Sequence, residues 1–281
     1  MRVRTAASAR RASYFGERSM IRRVMGERAV AFSGGRSLLM QAAHPLAVAG
    51  LLAHTDALED PYPRLARTAR VLDSIVFGTR AEADRACARV RAMHRRVRGE
   101  LPEAVGQYPA GTPYRADDPE LLMWILYTLV DSATLFYTVY VDGLSRLQRR
   151  ALWEDYKVLG ELFGLRPSQM PDSVEELGDY GRSMLRGGAL CVGDWARRRA
   201  RQIVLAPPVP VRLRPLLETV NFVTIALLPD ELRRQYGFSP LLPGVARKAL
   251  VRGGALYVRH GLLPLLPGAV RRVPSARRAS V

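Results

Sequence analysis

An imidazole on an oily helix face, and a cluster of guanidinium and hydroxyl groups one helix earlier, are the side chains of this sequence best suited to chemistry. Within "ARVRAMHRRVRGEL", Val90, His94, Val97 and Leu101 recur at helical spacing, so His94 shares a face with apolar side chains, and Arg98 follows one turn on. A histidine in that setting suits a haem axial ligand, neutral in an apolar pocket with cations near the propionates. Spacing alone favours the other reading, a core histidine bonded to a carbonyl. Arg64, Arg67 and Thr68, at i, i+3 and i+4 after Pro63, share one face of the preceding helix. There they either stabilise an anionic oxygen species and relay a proton, or stand in solvent opposite Glu59 and Asp60.

Two more of the four histidines, His44 before Pro45 and His54 ahead of Asp56, could line a pocket or close a helix end. The chain has no paired Glu-x-x-His, no HExxH, no CxxCH and no G-x-S-x-G. A carboxylate-bridged di-iron bundle, a zincin site, a thioether-linked haem and a nucleophile elbow are therefore not expected. Cys87 and Cys191 are isolated, which fits a reducing compartment better than a disulfide framework.

These groups must be positioned by helices. "PRLARTARVLDSIVFG" carries an apolar stripe at Leu65, Ala69, Leu72 and Val76 and ends at Gly78. Thr79 with Glu82 forms a capping-box signature for the next helix, and Asp117 or Asp118 caps another at Pro119. Residues 121–141 are apolar enough for a membrane span, but Thr128, Asp131, Ser132 and Thr138 fall near one face. That pattern favours a helix buried among others, its polar stripe facing an internal pocket. Further helices follow in "LSRLQRRALWEDYKVLGELFG", stopped by Gly164, and in "SVEELGDYGRSML", entered at Ser173. Strand signals are almost absent, and the expected fold is all-α.

The formal net charge is +17, nearly all from arginine. No zinc-finger, RRM or helix-turn-helix signature accompanies that charge, which argues against nucleic acid, while a basic surface allows peripheral docking on an anionic membrane. The basic N-terminus lacks an apolar run of signal-peptide length, so a cytoplasmic, optionally membrane-associated protein is expected. The organisation reads as a basic arm and short helix over 1–30, a helical domain over 31–240, and a Gly/Pro/Arg-rich tail over 241–281.

Five stretches in order, "GGRSLLMQAAHPLAVAGLLAHTD", "DPYPRLARTARVLDSIVFG", "MHRRVRGELP", "YRADDPELLMWILYTLVDS" and "LLPDELRRQYGF", resemble the latex clearing protein (rubber oxygenase) and MpaB-type oxygenase superfamily. The resemblance implies a single multi-helix domain, globin-like in its packing, around a pocket for non-covalent haem b. Molecular oxygen would be the co-substrate. It implies His94 as the iron ligand, Arg98 as the arginine one turn after it, and Arg64, Arg67 and Thr68 on the oxygen-binding side. His44 and His54 join the cofactor-binding set. Arg67 stands where the rubber-cleaving branch carries Lys, which keeps the charge and changes its geometry. Leu126 stands where many relatives have His within W-x-H-x-T. Without an export signal, a small terpenoid or lipid-like substrate fits better than polyisoprene. The alternative reading is a non-catalytic lipid or pigment-binding protein that docks on anionic membrane.

Overall fold

The computed structural model describes residues 12–53, 61–205, 214–239 and 244–278, and His54 lies outside them. The described chain is mostly helical, as the sequence patterns predict. The helices run α1 (Met20–Met25), α2 (Arg28–Ala31), α3 (Ser33–Ala42), α4 (Pro45–Ala53), α5 (Pro61–Phe77) and α6 (Arg80–Arg96). After a small hairpin, β1 (Arg98–Glu100) and β2 (Pro113–Arg115), come α7 (Pro119–Tyr140), α8 (Arg146–Phe163), α9 (Val174–Arg186), α10 (Asp194–Leu205), α11 (Arg214–Ala226) and α12 (Asp230–Gln235). The C-terminal elements are α13 (Gly244–Leu256), α14 (Gly268–Arg271) and α15 (Pro274–Arg278).

Local chemistry sets most boundaries. The Thr79 hydroxyl accepts from Glu82 N while the Glu82 carboxylate accepts from Thr79 N, so both halves of the capping box form. Asp118, rather than Asp117, caps α7 by accepting from Glu120 N at 2.8 Å, with Pro119 in the first turn. α8 ends at Gly164, whose φ of 110° is the left-handed conformation of a glycine C-cap. Pro45 separates α3 from α4, and the Ser33-Gly34-Gly35 stretch is the first turn of α3.

α7 is the axle of the core. It packs on α1, α2, α3, α8 and α13, and Trp124, Thr128, Ser132 and Phe136 are almost wholly enclosed. Among the described residues it is the one helix long and apolar enough to cross a bilayer, yet 61% of its most apolar stretch is buried within the fold. The expected burial of this helix among others is what the packing shows.

Two details depart from the sequence patterns. The stripe expected along α5 holds at Val76, which is buried beside Ile75, but Ala69 is exposed, as are all of residues 66–70. α6 stops at Arg96 because Val97 turns extended (φ −81°, ψ 96°), and the chain continues into β1, which pairs antiparallel with β2 through Gly99 and Tyr114. A Cβ on Gly99 would lie 2.6 Å from the Tyr114 hydroxyl, so this pairing requires glycine. Leu101 is accordingly not on the His94 helix; it is buried in a second small cluster with Ala49 and Tyr114. Strands of three residues are too short to display a period in the sequence.

Candidate active site

α5 and α6 pack against each other and are joined only through Gly78 and Thr79, which makes them an antiparallel helical hairpin. At 1.5 Å per residue, Arg64 lies about 21 Å before that turn and His94 about 22 Å after it, so a straight hairpin would set the two near one level at its open end. Arg67 stands roughly one turn nearer the connection. This levelling follows from helix lengths alone, and it brings the two expected groups of site residues to the same end of one supersecondary unit.

On α6, Ala83, Cys87, Val90 and His94 follow one another at helical spacing, the first two buried and the last two half-buried. His94 thus continues the apolar face, with its Nδ1 enclosed. Its neighbour Met93 is 54% exposed. The Arg91 guanidinium donates to the Leu162 carbonyl and ties the end of α6 to the end of α8. On α5, Arg67 and Thr68 are exposed, and the Arg64 backbone is helical while its side chain lies outside the described residues.

Arg98 requires a correction. It is not one helical turn beyond His94 but the first residue of β1, exposed, and its guanidinium turns back to donate to the Arg95 carbonyl, at 3.0 Å from Nε. There it caps the carbonyl end of α6, where a cation is favoured by the helix dipole.

His44 occupies the α3–α4 corner, 6% exposed. Its Nε2 is 3.5 Å from the Tyr108 hydroxyl and the rings lie 5.6 Å apart, while the buried Nδ1 has no hydrogen-bond partner among the described residues. Burial pushes its pKa down to about 4, against a smaller opposite effect of the Asp118 charge, so His44 is neutral at physiological pH. Tyr108 lies in the long β1–β2 connection, and nothing local in the sequence marks it as this histidine's neighbour.

The polar stripe of α7 finds its partners on α3. α3 presents a matching set: Ser37 Oγ lies 3.0 Å from Thr128 Oγ1, and Gln41 Nε2 donates to both hydroxyls. The Arg36 guanidinium donates to Ser132 Oγ and pairs with Asp131, each at 2.7 Å, and donates to the Leu227 carbonyl at 2.8 Å. Asp131 thus has the partner its position demands. Arg36, Ser37 and Gln41 are the polar groups that motif reasoning missed, and their helical spacing was the available signal. Leu126 points elsewhere: it is buried against α8, where a Cβ on Gly160 would approach Leu126 Cδ2 to 2.9 Å and Met170 Sδ to 2.6 Å. Leu126 is thus part of a tight helix–helix contact.

Among the described residues no three His, Cys, Asp or Glu side chains gather into a metal-binding group. A haem iron needs only one such ligand from the protein, and a half-buried imidazole with arginines nearby fits that donor set.

No curated protein matches the chain. No solved structure matches it either. The family described as ER-bound oxygenase mpaB/B'/Rubber oxygenase, catalytic domain, matches residues 22–260, a span that includes α5, α6, α7 and every described residue of the site. The chain belongs to this oxygenase family.

Proposed function

We propose that this protein is a haem b-dependent oxygenase acting on a small lipophilic substrate such as a terpenoid or lipid, with molecular oxygen as co-substrate. The observation that carries the reading is the family match over residues 22–260. The levelling of His94 with Arg64 at the open end of the α5–α6 hairpin supports it. Haem b, when bound, supplies a redox-active iron for oxygen activation.

In this reading His94, on the apolar face of α6, would hold the iron through its imidazole. Arg64 and Arg67 would supply cationic groups able to offset negative charge on the oxygen co-substrate, and the Thr68 hydroxyl would be the group able to relay a proton. Arg98, held on the Arg95 carbonyl, would add positive charge at the end of α6, suited to a carboxylate-bearing cofactor. His44 and His54 complete the polar groups assigned to the cofactor's surroundings, and neutral His44 acts there as a hydrogen-bonding group rather than a charge. Apolar helix faces hold the substrate and exclude water.

The test is an absorption spectrum and a pyridine haemochrome assay on protein expressed with haem supplied, beside His94→Ala. A Soret band in the parent and its loss in the variant is the expected result. Full haem occupancy in His94→Ala would overturn the ligand assignment. The apolar packing of Leu126 favours a second reading, a non-catalytic lipid- or pigment-binding protein, which predicts copurifying lipid and no haem in either protein.

A further inference from the structure

The C-terminal segment combines two features that the oxygenase reading does not use. Six of the nine exposed large apolar side chains among the described residues lie between Val245 and Val270, including Leu256 (54%), Tyr257 (69%) and Leu265 (81%). α13, thirteen residues long, buries none of its side chains. From Leu232 to Val281 the sequence contains no Asp or Glu, while Lys248, Arg252 and Arg272 stand exposed. Exposed apolar groups on a cationic, acid-free segment are the signature of a surface that meets a lipid interface.

The segment is anchored to the body by three ion pairs. Arg247 reaches Asp230 at 3.2 Å, Arg259 reaches Asp142 at 3.5 Å, and Arg271 reaches Glu27 at 2.9 Å. Asp142 also pairs with Arg23 at 3.6 Å, and Arg23 lines a cavity of about 350 Å³ together with Glu17, Arg18, Arg22 and Arg272. The segment therefore runs from Arg259, beside one wall of this cavity, to Arg272, which forms another. Arg22 directs its donors to the Val76 and Phe77 carbonyls at the far end of α5, so the cavity lies about 20 Å along that helix from the Arg64 level. Four guanidinium groups facing one carboxylate leave an excess of positive charge there.

We propose that this face docks on an anionic phospholipid membrane, with Leu256, Tyr257, Leu265 and Val270 entering the interface and the arginine-lined cavity taking a headgroup phosphate. Apolar insertion and charge attraction act together, because either alone gives weak and reversible attachment. The proposal holds whether or not the chain binds haem.

The experiment is co-sedimentation of the full chain with sucrose-loaded vesicles of phosphatidylcholine alone and of phosphatidylcholine mixed with phosphatidylglycerol. The parent is expected to sediment with the mixed vesicles only. Leu256→Ser/Leu265→Ser, at exposed positions that leave the helical circular dichroism unchanged, should weaken binding at least tenfold. Arg18→Gln/Arg272→Gln should weaken it about tenfold and flatten its salt dependence. Equal binding to neutral vesicles, or binding that neither pair alters, overturns the docking face. Loss with the leucine pair but none with the arginine pair overturns the headgroup site. Binding to duplex DNA with the same salt dependence, and none to vesicles, would assign the charge to another partner and overturn the proposal.

Discussion

Replacing Arg36 by Met isolates the contact on which the α3–α7 interface turns. The guanidinium is about 5% exposed and serves three acceptors at once: Ser132 Oγ, the Asp131 carboxylate and the Leu227 carbonyl. Methionine keeps the volume and removes every donor. Breaking a buried ion pair by deleting one partner costs about 3–5 kcal/mol, because the other charge is left uncompensated. Asp131 is 34% exposed, so water recovers part of that loss, and the expected cost is about 2–4 kcal/mol. Urea unfolding followed by tryptophan fluorescence suits the measurement, since Trp124 is buried in the same interface and donates to the Met40 carbonyl at 3.3 Å. Arg36→Lys should recover only part of the stability, because one ammonium cannot reproduce the three-way fork. A loss under about 1 kcal/mol in Arg36→Met, with an unchanged denaturant slope, would refute the view that this network holds α3 on α7.

Two further perturbations test the same framework. His44 is held at a pKa of about 4 against an ordinary 6.5, so the unfolded chain takes up its proton first as pH falls. Stability is complete above about pH 6.5 and declines by about 3 kcal/mol toward pH 4, and it levels off below because both states are then protonated. His44→Gln should flatten that window in unfolding curves recorded across it, and an unchanged slope would rule out His44 as its source. Gly160→Ala should cost about 1–3 kcal/mol in thermal or urea unfolding, since its methyl would meet Met170 and Leu126 inside contact distance; neutral behaviour would mean that α8 shifts freely on α7.

Local chemistry was enough to read the helices that carry the site. Thr79 with Glu82, Asp118 with Pro119, and Gly164 each satisfy or release backbone groups within a few residues of themselves, so their effect is visible in the sequence. The same holds for His94, whose apolar neighbours recur along α6 at helical spacing. Only the tertiary structure decided what lay opposite. Helical period placed Ala69 on the apolar stripe, but exposure depends on which elements pack there, and residues 66–70 are exposed. Arg98 left the helix because Val97 turns extended, which lets the β1–β2 hairpin form against α4. The stripe of Thr128, Asp131 and Ser132 was legible as polar, yet its meaning came from Arg36, Ser37 and Gln41, about ninety residues earlier. Period along one helix says which side chains share a face. It cannot say what the rest of the chain brings to that face, because contacts between distant segments are settled by packing the whole core at once.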